Sequence, residues 1–136
     1  MSFAKGLIER GDYEEAVDAA THAIEGGDAG PEPLFDRGTA LDFLERFDEA
    51  VVDLERAVEM NLAEKELDPF VLDDAYFSAL LSAAKTAAGK DKEAGAKMLE
   101  RYRAVLPEGA HGAESRDWQR RLRGEMPSLL DKTVDF

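Results

Sequence analysis

Apolar residues recur along the chain at spacings of three and four, interrupted by glycine, proline and acidic clusters, a pattern that predicts short amphipathic helices joined by tight turns. A first helix is expected over residues 2–10, with Phe3, Leu7 and Ile8 on one stripe. Gly11-Asp12 stops it, and Asp12 can cap a second helix reaching about Glu25 through Tyr13, Ala16, Val17, Ala20, Ala23 and Ile24. Residues 26–30 carry three glycines and supply the next turn. Pro31 and Pro33 open a third helix, where a missing N–H is harmless, and its inner stripe is Leu34, Gly38, Leu41 and Leu44. Gly38 would cost about 1 kcal/mol relative to alanine unless a neighbouring helix comes close, so it reads as a packing contact. The fourth helix, about 48–60, buries Phe47, Ala50, Val51, Leu54, Ala57 and Val58.

Residues 61–70 read as an enlarged loop or an overrun of the fourth helix. A fifth helix is expected over 75–88 with Tyr76, Leu80, Ala83, Ala84 and Ala87 packed, and Gly89 ends it. A sixth carries Met98, Leu99, Tyr102, Val105 and Leu106 inward. A seventh, 114–123, turns Trp118 and Leu122 inward and Arg116, Arg120, Arg121 and Arg123 outward. A short tail over 127–136 follows.

The helices repeat. Gly11-Asp12-Tyr13-Glu14-Glu15-Ala16 returns 34 residues later as Glu45-Arg46-Phe47-Asp48-Glu49-Ala50, and in that register Ala20, Ala23 and Ile24 fall on Leu54, Ala57 and Val58. A helix pair of this length cannot bury its own apolar face and stacks on its neighbours. Leu34, Gly38 and Leu41 on one helix, Phe47 at the turn, and Ala50, Leu54 and Ala57 on the next resemble a tetratricopeptide repeat, whose period is the same. The likeness covers two repeats well and a third loosely, at Asp91, Glu93 and Ala94. It departs from the family at Arg37, where a leucine is usual, and at Asp28 and Leu62, where the closing proline is missing. The implied fold is all-α: a right-handed superhelical stack of antiparallel helix pairs in one domain, 1–126. Its repeats would span about 1–28, 31–62 and 73–107, with a capping helix at about 113–124.

Charge alters the picture more than size does. The 136 residues carry a net charge of −13; residues 1–70 hold 19 acidic and 6 basic side chains, and residues 71–136 hold 11 of each. An acidic first half argues against nucleic acid as a partner. It either steers a basic partner, or favours the dipoles of helices that begin with acids, or reflects a salt-adapted proteome. No apolar run is long enough for a membrane helix, and the start lacks an export signal, so a cytoplasmic, membrane-free protein is expected. The absence of cysteine excludes disulfides and thiolate metal sites.

Catalytic chemistry is not expected. His22 and His111 have no ligand partner at metal spacing on their own helical faces, and no serine stands in a nucleophile elbow. Acid pairs such as Asp42 with Glu45 and Asp73 with Asp74 fall at helix starts and turns, where nothing splits their pKa values. The expectation is a non-enzyme with no cofactor and no metal.

In the resembled family the first helix of each repeat lines a concave surface that receives a peptide or a partner's helix. The resemblance therefore implies a surface made of Glu32, Phe35, Asp36, Thr39, Asp42 and Phe43 on the third helix, and of Asp74, Phe77, Leu81 and Lys85 on the fifth. Aromatics among acids suit a peptide with apolar anchors and basic flanks. The cationic set that one subgroup uses for C-terminal carboxylates is missing apart from Lys5 and Lys85. The implied function is a protein-binding adaptor or scaffold; the alternatives are a self-pairing assembly unit exposing Phe3, Leu7 and Ile8, and a small secretion-type chaperone.

Overall fold

The structure is a computed structural model that describes residues 3–125; the tail expected over 127–136 lies outside the described residues. All regular structure among the described residues is helical, and the fold is all-α. The segments are α1 (Phe3–Glu9), α2 (Tyr13–Glu25), α3 (Pro31–Phe43), α4 (Phe47–Glu64), α5 (Pro69–Ala88), α6 (Lys92–Met98), α7 (Glu100–Val105) and α8 (Gly112–Arg123). None of these is long and apolar enough to cross a membrane. The described residues divide into two compact units, one up to Leu80 and one from Leu81 on.

In the first unit α1 packs on α2 and on α3, and α3 packs on both α2 and α4. Leu7, Ala16 and Ala40 form one buried cluster, with Ile8, Tyr13, Val17 and Ala19 closing over it. Gly38 is a close-approach site, as its position suggested: a Cβ there would meet Leu54 Cγ at 2.7 Å.

The turns of the two pairs are built alike. Gly11 has φ +82° and Glu45, 34 residues on, has φ +60°. Gly11 N–H donates to Ile8 C=O at 3.0 Å and Asp12 N–H to Leu7 C=O at 2.9 Å; Glu45 N–H donates to Asp42 C=O at 3.0 Å and Arg46 N–H to Leu41 C=O at 2.9 Å. These pairings satisfy carbonyls that the helix end leaves open, and they need one residue in the left-handed region. Glycine takes that place at no steric cost in the first turn; in the second a glutamate accepts it. Four residues after each turn, Ala16 and Ala50 are fully buried, and Ala20 and Leu54 follow at 1% exposure each.

Helix α4 overruns its expected end to Glu64, and Asn61 then fastens the loop. Asn61 Nδ2 donates to Leu67 C=O and Leu67 N–H donates to Asn61 Oδ1, both at 2.8 Å, so a buried amide is satisfied by a passing backbone. Helix α5 starts at Pro69, not near residue 75; proline is suited to the first position of a helix.

In the second unit Gly95, not Ala94, occupies the place of Ala16 and Ala50. Ala94 is exposed, whereas Gly95 is buried and its N–H donates to Asp91 C=O at 3.1 Å, four residues back. Asp91 caps α6 by accepting from Ala94 N–H. Leu99 and Tyr102 then fall in the register of Leu54 and Ala57, and both are fully buried. The expected single sixth helix is divided at Leu99 into α6 and α7 by shorter i→i−3 bonds on either side of it.

Candidate partner-binding surface

The implied surface residues of the first unit separate into open and closed sets. On α3, Glu32, Phe35, Thr39 and Asp42 are half-buried and Phe43 is 58% exposed. Phe43 is held flat: its ring stacks on Tyr13 at the start of α2, with centroids 4.6 Å apart and planes 7° from parallel. A stacked pair fixes the ring and leaves one broad apolar side available. Asp74 on α5 is exposed.

Asp36 and Phe77 do not join this surface. Asp36 is 3% exposed because its helical neighbours Pro33 and Ala40 are both buried, so position 36 lies on the packed side of α3. Phe77 is 4% exposed: it falls on the packed side of α5 with Asp73, Tyr76 and Leu80, while Val71, Asp74 and Ser78 form that helix's exposed stripe. Leu81 and Lys85 belong to the second unit, where Leu81 is half-buried and Lys85 is exposed.

Two polar atoms on the α3 face are enclosed without a hydrogen bond, Thr39 Oγ1 and Asp42 Oδ1. They lie three residues apart and so on one side of the helix. Enclosure disfavours the charged carboxylate, and burial raises the pKa of Asp42 above the ordinary aspartate value.

Sequence reading missed the polar anchor behind that face. Arg37 Nε and Nη2 donate to Asp53 Oδ2 and Oδ1 at 2.7 and 3.0 Å, and Arg37 Nη1 donates to Thr21 at 3.2 Å, so one guanidinium ties α3 to α4 and to α2. The hydrogen bond to Asp53 raises the arginine's pKa despite opposing desolvation. The signal was present: a charge among Leu34, Gly38 and Leu41 demands a counter-charge from the helix packed against it, and Asp53 lies beside Ala50, Leu54 and Ala57.

The second unit carries a separate polar cluster around α8. Trp118 and Leu122 are only half-buried, and the buried face is polar instead, with Ser115 and Gln119. Arg103 donates to Ser115 Oγ at 2.8 Å and to Gln119 Oε1, and Gln119 Nε2 donates to Ala96 C=O at 3.0 Å. Arg123, expected to face outward, forms a bidentate pair with Glu93 at 2.8 and 2.9 Å that holds the glutamate's pKa down. Lys85 Nζ and the Arg121 guanidinium lie 4.1 and 4.8 Å from the Trp118 ring centroid, so the tryptophan already engages two cations. Among the described residues no three His, Asp or Glu side chains are grouped to hold a metal ion. Comparison of the sequence with family models and with curated proteins returned no match.

Proposed function

We propose that the chain is a non-enzymatic adaptor of stacked tetratricopeptide-like helix pairs that holds a peptide or helix of a partner protein on the open face of α3. The observation that carries this reading is the turn recurring after 34 residues with the same bonds between the same relative positions. A repeated unit of that kind supports stacking, and stacking leaves one flank of each first helix free. Phe43 braced on Tyr13, with Phe35, Glu32 and Asp42 along the same helix, favours a ligand with apolar anchors and basic flanks.

Magnitudes set the affinity. Two available rings at ~1.5–3 kcal/mol each offer about 3–6 kcal/mol before any ordering cost, so a peptide held by them alone binds no tighter than about 40 µM. Phe35→Ala combined with Phe43→Ala should abolish partner capture from the native host, read by mass spectrometry, with helicity by circular dichroism retained. Capture of the same protein at equal yield by the double variant would remove α3 as the binding face.

A further inference from the structure

The first unit contains one kind of groove twice. A cavity of about 420 Å³ lies among α2, α3 and α4, and a second, of about 550 Å³, lies on α1 and α2. Shifted by 34 residues, five residues lining the second fall on five lining the first: Phe3 on Arg37, Leu7 on Leu41, Glu15 on Glu49, Asp18 on Val52 and Ala19 on Asp53. The groove at α3 and α4 has a third wall, which α2 supplies through Val17 and Thr21. The groove at α1 and α2 has no such wall among the described residues, and Phe3 on its border is 76% exposed.

The two grooves differ in chemistry. Where the walled groove holds the Arg37–Asp53 ion pair, the open one has Phe3 and Ala19, which match an apolar side chain. Its rim is acidic, with Glu15 and Asp18 both exposed, and residues 1–80 as a whole hold 21 acidic against 6 basic side chains. A second copy paired groove to groove would bring these acids against the same acids, and like charges in such contact are costly.

We propose that the groove on α1 and α2 is a second docking site, distinct from the α3 face, and that its occupant is an amphipathic helix of a partner protein with apolar anchors between lysines or arginines. That helix lies where α2 lies on the next pair. Apolar burial on Phe3, Ala19 and Ala23 supplies affinity, and the acidic rim selects the cationic partner.

The probe follows from the geometry: a labelled peptide of residues 13–25, which is the segment that walls the other groove, carrying Glu14→Lys, Glu15→Lys, Asp18→Lys and Glu25→Lys. By fluorescence anisotropy the full-length protein should bind this peptide at least tenfold tighter than the unsubstituted acidic one. In the protein, Glu15→Lys with Asp18→Lys should reverse that preference, Phe3→Ala should weaken the cationic peptide several-fold, and Phe35→Ala with Phe43→Ala should leave it unchanged. All three groove positions are exposed, and unchanged circular dichroism separates loss of the site from loss of the fold. Equal binding of the two peptides, binding of neither, or an unreversed preference overturns the proposal. So does a dimer in sedimentation that Phe3→Ala splits, which would make a second copy the occupant.

Discussion

Gly95→Val is expected to lower the melting temperature by roughly 10–20 °C, a loss of about 3 kcal/mol. The reason is the kind of atom in the way. A Cβ on Gly95 meets the Ala84 carbonyl oxygen at 2.5 Å and the Ala88 nitrogen and Cβ at 2.6 Å, all in α5. Backbone atoms cannot rotate aside, so α6 must move as a body and give up the burial of Ala96 and Leu99. Gly38→Ala provides the internal comparison. The nearest atoms there are the side-chain carbons of Leu54, at 2.7 and 3.0 Å, which a rotamer change can displace, so the loss should be smaller. A Gly95→Val protein melting within about 3 °C of the parent would mean that α6 does not sit this close to α5.

Asp53→Ala should cost about 3 kcal/mol in urea unfolding, the lower end of the range for breaking a buried ion pair. The aspartate side chain is 7% exposed and that of Arg37 is 25% exposed, so the stranded cation has partial access to water, which limits the damage. The double replacement Arg37→Met with Asp53→Leu should recover most of the loss, since two apolar groups of similar volume leave no buried charge. Additive losses in the double variant would show that Arg37 is anchored by something other than Asp53, with Thr21 the remaining partner.

What the sequence made legible was local. The 34-residue recurrence could be read because each turn is specified by residues adjacent in the chain, and the same adjacency sets the bonds of Gly11 and Glu45. The buried stripes of α2, α3 and α4 followed from spacing alone, as Ala16, Ala20, Leu41, Ala50 and Leu54 attest. The third pair was harder, because Gly95 stands 45 residues after Ala50 and Asp91 caps by its side chain, so neither length nor turn chemistry repeats.

Surface assignments depended on information the chain does not hold locally. Phe35 and Phe77 look alike in sequence, yet one is half-buried and the other closed, because Phe77 stands on the packed side of α5, with Asp73 and Leu80, outside that helix's exposed stripe at Val71, Asp74 and Ser78. Similarly, Trp118 drew attention as an apolar anchor of α8, but the packed face of that helix is chosen by Arg103, whose hydrogen bonds need Ser115 and Gln119. The proposed adaptor function rests on which flank of a helix remains open, and that is decided by neighbours distant in the chain.

The central claim is that the second helix pair reproduces the first, turn for turn, and amide hydrogen exchange by NMR at two residues tests it most directly. Asp12 and Arg46 should be similarly protected, because each N–H is bonded to a carbonyl five residues back, on Leu7 and Leu41. Protection at Arg46 with free exchange at Asp12 would contradict the account, leaving one hairpin beside an unrelated helix.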